Sequence, residues 1–246
     1  MTSLPEVSLF FPVYNDQHTI RALALSAREM LLRSSSKFEI IIIDDGSPDQ
    51  SGQIADHLSA EFPLEISVIH HSKNLGYGAS LKTGIAATQY EWICMIDGDN
   101  EYDVLDLEKM LNLRHFYLLV IAFRYKKLYS TKRIFISFIY NLVLRFLFRT
   151  RFRDISTGIR LINRSILGDI AITSNSPFVG AELAIKANLR GYPIGELGIQ
   201  TFPRTFGAGS AVTFRNIVKT IKDMLRVRRE IFSDWYQLPV TRSRDK

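Results

Sequence analysis

The sequence is poor in the residues on which disulfide-bonded, membrane-spanning and zinc-dependent proteins depend. One of its 246 residues is a cysteine, Cys94, so the chain can form no intramolecular disulfide and no multi-thiolate zinc site. It has no run of about 18 apolar residues and no basic segment at its N-terminus, so we expect neither a transmembrane anchor nor a secretory signal. The five histidines show no metal-ligand spacing, and none lies beyond residue 115. These features predict an intracellular protein without a zinc centre.

Charges of the two signs are separated along the chain. Residues 1–120 contain 8 Lys and Arg against 17 Asp and Glu, a net charge of −9. Residues 121–246 contain 23 against 8, a net charge of +15, so the total of +6 hides two halves of opposite sign. An acidic half suits a divalent cation, whereas a basic half suits an anionic substrate, an anionic membrane surface or nucleic acid.

Short apolar runs alternate with longer segments of helical spacing. The runs predict strands at 7–13, 38–44, 66–70, 92–96 and 117–123, and the segments predict helices at 19–32, 51–62, 79–88 and 104–113. This alternation is typical of an α/β fold in which helices flank a mostly parallel, twisted sheet and the ligand lies at the carboxyl ends of the strands. Further strands are predicted at 158–163 and 194–202, and further helices at 181–190 and 213–231.

The segment 133–149 is apolar except at every fourth position. On a helix these positions form a narrow polar stripe: Arg133, Ser137, Asn141, Arg145 and Arg149. About 15 residues of helix span roughly 22 Å, less than the ~30 Å core of a bilayer, so we do not expect this helix to cross a membrane. Three interpretations stay open: a buried core helix, a surface that docks on a small membrane-protein subunit, and an interfacial helix among lipid headgroups. The basic helix at 213–231 either extends that surface or is an ordinary solvated helix.

Two acidic turns follow predicted buried strands. Asp97-Gly98-Asp99 places two carboxylates one residue apart, an arrangement that can hold Mg²⁺ or Mn²⁺ with the remaining ligands supplied by substrate phosphates. Asp44-Asp45 could accept hydrogen bonds from a base or a ribose. Each could also be an ordinary turn, but two acidic strand ends in one sheet favour a binding site.

A third segment partly matches a dinucleotide-binding fingerprint. Asn74-Leu75-Gly76-Tyr77-Gly78-Ala79 leads into a helix, but Leu81 stands where the third glycine belongs, so the match is weak. No P-loop is present. No recognised nucleic-acid-binding motif is present either, and we do not expect nucleic acid as a partner.

Taken together, these residues resemble the family 2 glycosyltransferases, enzymes of the GT-A fold. The matching pieces are Phe11-Pro12-Val13-Tyr14-Asn15, Ile43-Asp44-Asp45-Gly46-Ser47, Asn74-Leu75-Gly76 and Asp97-Gly98-Asp99. The second half resembles the branch that attaches a sugar to polyprenyl or dolichyl phosphate. That likeness rests on Arg124, Arg133, residues 154–158, Glu182 and residues 203–210.

The resemblance implies a role for each matching residue. Nucleotide-sugar binding would fall to Pro12, Tyr14, Asn15, Asp44, Asp45 and Gly76. The metal would be held by Asp97, Asp99 and Glu101. Catalysis would rest on Asp97, Asp99, Arg124 and Arg204, with the arginines clamping phosphates. The acceptor or its phosphate would be met by Arg133, Asp154, Thr157, Glu182 and Ser210.

The implied enzyme is a metal-dependent inverting glycosyltransferase at the cytoplasmic face of a membrane. It would move mannose or glucose from a nucleotide diphosphate sugar to polyprenyl or dolichyl phosphate, an acceptor that is already ionised and needs no general base. The alternative is a hydroxyl acceptor in glycan or cell-surface polysaccharide synthesis, for which Asp154 and Glu182 are candidate bases. We expect one catalytic domain over residues 1–232, with a donor half (1–123), an acceptor-binding and membrane-associated half (124–232) and a tail (233–246).

Overall fold

A computed structural model describes residues 3–126, 131–203 and 213–234, apart from the side chains of residues 126, 131–133 and 234. Within these ranges seven strands form one sheet: β1 (Glu6–Val13), β2 (Lys37–Asp44), β3 (Ile66–His70), β4 (Trp92–Ile96), β5 (Leu119–Lys126), β6 (Ile159–Asn163) and β7 (Ile194–Gln200). A 3₁₀ helix (Arg164–Gly168) and seven α-helices accompany them: α1 (Ile20–Ser34), α2 (Ser51–Glu61), α3 (Tyr77–Ala87), α4 (Leu105–Asn112), α5 (Thr131–Phe148), α6 (Val179–Leu189) and α7 (Phe214–Asp234). The predicted α/β fold and its mostly parallel sheet are confirmed.

The position of β6 brings two distant parts of the chain together. The strand order is β3-β2-β1-β4-β6-β5-β7, and β6 alone runs antiparallel to its neighbours β4 and β5. Ile159 pairs with Ile96, so β6 begins beside the end of β4. The loop before β6 and the turn after β4 therefore meet at the end of the sheet where β1, β2 and β4 finish, which we call the carboxyl end.

Two hydrophobic clusters cover the two faces of the sheet. Neighbouring residues of a strand point to opposite faces, so Ile40 and Ile42 belong to one cluster and Ile41 and Ile43 to the other. Burial on both faces explains why these strands are continuous apolar runs. Cys94 is fully buried in the first cluster, as expected.

β5 is longer than predicted. It continues past residue 123 because it pairs with β7, with a bulge between Arg124 and Lys126. Arg124 therefore lies within a strand instead of in the loop after it, and its side chain is positioned by the sheet.

The helix with the predicted polar stripe is α5. Leu144 and Phe148 pack into the second cluster, but Phe135, Phe138 and Phe146 are 64%, 60% and 83% exposed. The interpretation of α5 as a helix buried on all sides is therefore wrong. No helix in the described ranges, α5 included, combines the length and the apolar character needed to cross a bilayer.

Candidate active site

The turn Asp97-Gly98-Asp99 is fastened to the end of β1. The Gly98 amide donates a hydrogen bond of 3.3 Å to the Pro12 carbonyl, and the Thr19 hydroxyl donates one of 2.7 Å to the Gly98 carbonyl. Asp99 is 7% exposed, and its Oδ1 accepts a hydrogen bond of 3.0 Å from the amide of Glu101. Backbone contacts thus fix the turn and leave its acidic side chains at the carboxyl end of the sheet.

The carboxylate of Asp97 lies between Tyr77 and Gly158. The Tyr77 hydroxyl donates a hydrogen bond of 2.8 Å to Asp97 Oδ1. On the other side, a Cβ atom at position 158 would lie only 1.7 Å from Asp97 Oδ2. Because such a contact is impossible, position 158 accepts only glycine while Asp97 keeps this orientation.

The two carboxylates of this turn fit a divalent cation. Burial and the charge of Asp99 raise the pKa of Asp97 well above its ordinary range. Positive charge beside the pair would favour ionisation of both groups, and two carboxylates plus substrate phosphates are a usual ligand set for Mg²⁺. In the described part of the chain, no three His, Cys, Asp or Glu side chains could hold a metal ion together, so the predicted third ligand, Glu101, is not brought into place. The Glu101 carbonyl accepts a hydrogen bond of 2.9 Å from the Phe202 amide, while the charge of the Glu101 side chain adds to the raised pKa of Asp97.

Asp45 holds the loop after β3 in place. It accepts hydrogen bonds of 2.9 Å from the amide of Leu75 and 2.8 Å from that of Gly76, and its Oδ1 lies 2.7 Å from Nδ1 of His71. Gly76 has a φ of +95°, a conformation that favours glycine. Asp45 therefore shapes the predicted nucleoside pocket by fixing its wall, and direct contact between Asp45 and the nucleoside stays a prediction.

Asp44 makes an equivalent set of contacts. It accepts the Ser47 amide at 3.0 Å and lies 2.9 Å from Nδ1 of His70, whose other ring nitrogen lies 2.9 Å from Asp56. Hydrogen bonds that the His70 ring donates to Asp44 and, to a smaller extent, to Asp56 raise the pKa of His70. Both acidic turns are thus integrated into the site rather than freely solvated.

The end of β1 supplies the residues between the two acidic turns. Asn15, with a φ of +61°, donates its amide to the Ser47 hydroxyl at 3.3 Å, and the neighbouring Tyr14 is 38% exposed. Because β1 lies between β2 and β4, the structure brings every predicted donor-side residue to the carboxyl end of the sheet: Pro12, Tyr14, Asn15, Asp44, Asp45, Gly76, Asp97 and Asp99.

The acceptor-side loop, residues 154–158, is anchored to β5. Arg124 and Asp154 form a buried ion pair of 2.8 Å, with side chains 6% and 3% exposed. Arg124 also donates to the Ser156 hydroxyl at 2.7 Å, and the Thr157 hydroxyl donates to the Ala122 carbonyl at 3.0 Å. Arg124 was predicted to bind phosphate, and in this structure its guanidinium instead fastens the loop that reaches Asp97.

Two residues of the polar stripe of α5 form hydrogen bonds with residues 152–155, at the start of the acceptor-side loop. Asn141 donates to Asp154 at 3.3 Å and accepts the Ile155 amide at 3.1 Å. One turn further along, Arg145 donates hydrogen bonds of 3.1 and 2.9 Å to the Phe152 carbonyl. The middle of the stripe, Ser137 and Asn141, is therefore at least partly buried on the side of α5 that faces this loop, whereas Arg145 and Arg149 stay exposed.

Glu182 is held in a buried network away from solvent. Burial acts to raise its pKa, but hydrogen bonds from Lys186, Ser174 and Thr173 outweigh burial and keep that pKa below its ordinary value. Lys186 also pairs with Glu230 of α7 at 2.7 Å. The carboxylate is fully buried, so this residue braces α6 and α7 rather than meeting an acceptor.

Two residues near Asp97 were missed by the sequence analysis. Tyr77 was noted only as part of a glycine-rich loop. Arg160 lies within β6 and is 2% exposed. Burial and the charge of Asp99 raise the pKa of Asp97, and the positive charge of Arg160 acts to lower it. A lone charge in the apolar run 159–163 was the available signal. The predicted residues Arg204 and Ser210 lie outside the described residues, as does the side chain of Arg133.

The chain is similar in sequence to known glycosyltransferases. A family model described as Glycosyl transferase family 2 matches residues 8–171. Glycosyltransferase AglD of Haloferax volcanii is 26% identical over 251 residues, an alignment that covers 96% of this chain and 38% of that protein. Polyprenol monophosphomannose synthase of Mycolicibacterium smegmatis is 25% identical over 211 residues, covering 81% of this chain and 78% of that one. The chain thus spans little more than a third of the length of AglD.

Solved structures agree on the fold. Glucosyl-3-phosphoglycerate synthase of Mycobacterium tuberculosis, crystallised with Mn²⁺, uridine diphosphate and glucosyl-3-phosphoglycerate, has a TM-score of 0.65 at 15% identity and covers 93% of this chain and 78% of its own. Mannosyl-3-phosphoglycerate synthase of Rubrobacter xylanophilus has a TM-score of 0.65 at 13% identity, covering 98% and 79%. These likenesses establish the GT-A fold.

Proposed function

We propose that this chain, which belongs to glycosyl transferase family 2, moves mannose or glucose from a nucleotide diphosphate sugar to a polyprenyl or dolichyl phosphate. The reaction would take place at the cytoplasmic face of a membrane, with residues 1–123 serving the donor, residues 124–232 the acceptor and Mg²⁺ or Mn²⁺ as cofactor. That the chain is a hexosyltransferase follows from its family, whereas the lipid acceptor, the metal and the location are the proposal.

One observation carries the proposal: the Asp97 carboxylate lies against Gly158. The turn suited to a cation and a donor diphosphate therefore adjoins the loop 154–158 of the basic half. Glycosyl transfer needs such proximity, because the acceptor must approach the anomeric carbon from the side opposite the leaving group.

On the donor side, each residue has a distinct task. Tyr14 and Asn15 would contact the nucleoside between the two acidic turns, while Asp44 and Asp45 hold the walls of its pocket. Asp97 and Asp99 would hold Mg²⁺ or Mn²⁺, which when bound supplies positive charge for the departing diphosphate. Tyr77 keeps Asp97 oriented for this purpose.

The acceptor side favours a phosphate nucleophile over a hydroxyl. A hydroxyl acceptor requires a general base, whereas a phosphate is already ionised near neutral pH. The two candidate bases are both engaged: Glu182 is fully buried in its network, and Asp154 is paired with Arg124. In the proposed transfer, a phosphate oxygen forms a bond to the anomeric carbon while the bond from that carbon to the diphosphate oxygen breaks, which inverts the configuration and releases the nucleoside diphosphate.

The test is a partition assay with radiolabelled nucleotide sugars. The protein is incubated with Mn²⁺ and either polyprenyl phosphate, 3-phosphoglycerate or soluble sugars, and the products are partitioned between butanol and water. We expect label in butanol only when polyprenyl phosphate is present, and none with Asp99→Asn, which should fold normally. Exposed Glu61→Gln is the matched control and should behave as the wild type.

Two outcomes would overturn the proposal. Aqueous product made from a soluble sugar or from 3-phosphoglycerate, with none in butanol, would identify a different acceptor. Full activity of Asp99→Asn after removal of divalent metal would remove the cation from the mechanism.

A further inference from the structure

Two helices expose large apolar side chains to solvent. Besides the phenylalanines of α5, the helix α7 exposes Phe214, Ile221 and Leu225, which are 83%, 50% and 57% exposed. Contiguous apolar surface of this kind on a water-soluble protein marks an interaction site. Its occupant can be inferred from the packing and the charges around it.

The outward face of α5 is imposed by its inward contacts. Ser137 accepts a hydrogen bond of 3.4 Å from Arg124, and Asn141 is bonded to both Asp154 and Ile155. Because Ser137 and Asn141 are held on the inner side of α5, the apolar residues on the opposite side of the helix stay at the surface. α5 thus exposes large apolar side chains where an ordinary surface helix keeps polar ones in water.

α7 presents three different faces along its length. Its buried face is formed by Met224, Val227 and Ile231. Its exposed apolar residues are spaced three, four and four apart and so form one stripe: Phe214, Ile217, Ile221 and Leu225. A row of exposed basic residues runs beside that stripe, about 100° further around the helix: Arg215, Lys219, Lys222, Arg226 and Arg229.

The acidic residues of α7 with described side chains are paired, and one of them, Asp223, pairs with Arg226 of the basic row at 2.8 Å. Asp223 accepts hydrogen bonds from the amides of Asn175 (3.1 Å) and Ser176 (3.0 Å), and Glu230 pairs with Lys186. α5 contains no acidic residue. The exposed surface beside the apolar stripe therefore carries a net positive charge, which complements an anionic surface.

The two helices pack on the same side of the sheet and contact each other. Met224 and Val227 of α7 share a buried cluster with Leu144 and Phe148 of α5. Arg228 lies between the buried and exposed faces of α7 and donates a hydrogen bond of 2.8 Å to the Leu147 carbonyl of α5. We refer to the exposed apolar residues of α5 and α7, with the basic row of α7, as the α5–α7 face.

We infer that the α5–α7 face docks on a lipid bilayer that contains anionic lipids. The apolar side chains enter the boundary between headgroups and acyl chains, and the basic row of α7 contacts the headgroups. Because Asn141 joins α5 to the loop 154–158, docking sets that loop at the membrane surface. This inference rests on the proposed function for its choice of a bilayer over a protein partner, and it adds the surface, the lipid charge and the contribution of α7.

The test is sedimentation of the purified full chain with vesicles. One set is phosphatidylcholine, and the other contains equal parts of phosphatidylcholine and phosphatidylglycerol. We expect strong binding to the anionic vesicles that weakens with added salt. Lys219→Gln/Lys222→Gln should lower the affinity for anionic vesicles about 30-fold, and Phe146→Ser/Phe214→Ser should lower it about tenfold or more.

The controls carry comparable substitutions at exposed positions outside the α5–α7 face. Phe116→Ser, at a 70% exposed position, and Arg21→Gln/Lys37→Gln should bind as the wild type does. Equal loss in these controls, or wild-type protein that stays in solution with both vesicles, would overturn the inference. So would a dimer in light scattering that Phe146→Ser/Phe214→Ser dissociates without any vesicle binding, since a second copy would then cover the face.

A detergent assay separates this inference from the proposed function. If butanol-soluble product forms in detergent but the protein ignores vesicles, the docking inference fails and the transferase proposal stands. If the protein binds anionic vesicles but makes no lipid product, the transferase proposal fails and the docking inference stands.

Discussion

The Tyr77 hydroxyl donates a hydrogen bond of 2.8 Å to Asp97, and so joins the first residue of α3 to the turn after β4. The position of Tyr77 depends in turn on Gly76, whose amide is held by Asp45. A line of contacts therefore runs from the predicted nucleoside pocket to the predicted metal turn. Through this line, a disturbance in one acidic turn reaches the other.

Tyr77→Phe should weaken metal binding with little effect on folding. Loss of the hydrogen bond frees the Asp97 carboxylate, and a net contribution of about 1 kcal/mol corresponds to about a fivefold rise in the Mn²⁺ dissociation constant. The measurement is the thermal shift produced by Mn²⁺ titration in the presence of nucleoside diphosphate. Tyr192→Phe, which removes a Tyr–Asp hydrogen bond to Asp169, is the control, and an equal change in both variants would contradict the role given to Tyr77.

Gly158→Ala should abolish most activity while the protein stays folded. The new methyl group would occupy the place of Asp97 Oδ2, so the flexible carboxylate must swing away. We expect kcat to fall about 100-fold and the free energy of unfolding to fall by about 1 to 3 kcal/mol.

The control for this variant is Gly168→Ala. No described atom lies within 4 Å of a Cβ there, so activity should be unchanged. Wild-type activity of Gly158→Ala would mean that the orientation of Asp97 is not needed.

Substitutions in the Arg124–Asp154 ion pair can distinguish a structural role of Arg124 from a catalytic one. Arg124→Gln leaves a buried carboxylate without its partner and should lower the free energy of unfolding by about 3 to 5 kcal/mol. Adding Asp154→Asn should restore most of that stability, because both charges are then gone. If Arg124 also binds phosphate, the double variant stays inactive at temperatures where it is folded. Recovery of activity along with stability would make the arginine purely structural.

The contribution of His70 to stability should depend on pH. Its pKa is raised in the folded protein by Asp44 and then by Asp56, so the contribution is complete below the unfolded-state pKa of about 6.5 and disappears as the pH rises through the higher folded-state value. The difference in urea midpoint between wild type and His70→Gln should therefore be larger at pH 6 than at pH 9. His57→Gln, on the exposed side of α2, should show no such trend, and a constant difference for His70→Gln would refute the ion pair with Asp44.

Sequence patterns predicted the features that depend on residues adjacent in the sequence, namely the strands, the turns that follow them and the polar stripe of α5. The apolar runs that end in Asp44 and Ile96 fixed β2 and β4, and with them both acidic turns, because a strand buried on two faces needs an unbroken apolar run. The polar stripe of α5 was likewise visible, although which side it faces was not.

Long-range pairing decided the features that the sequence did not reveal. The reversed direction of β6 and the extension of β5 depend on partner strands far along the chain. The same holds for Arg124, whose residue type suits a phosphate clamp but whose ion-pair partner Asp154 lies 30 residues further along the chain. Glu182 differs, because its partner Lys186 lies one helical turn away, and Lys186 in turn pairs with Glu230 of α7. Arg160 was overlooked because one charge in an apolar strand has no meaning until its neighbour Asp97 is known.

The insertion of β6 between β4 and β5 also determines how this protein can be divided. β4 and most of β5 come from the proposed donor half, residues 1–123, but they do not pair with each other, since β6 from the other half separates them. A fragment ending at residue 123 would keep the donor turn yet leave the apolar strand β4 with a bare edge, inviting aggregation. Chimeras that exchange acceptor specificity between relatives must therefore transfer the whole segment from β5 through α5 to β6 as one block, because a cut at the charge boundary would split an interleaved sheet.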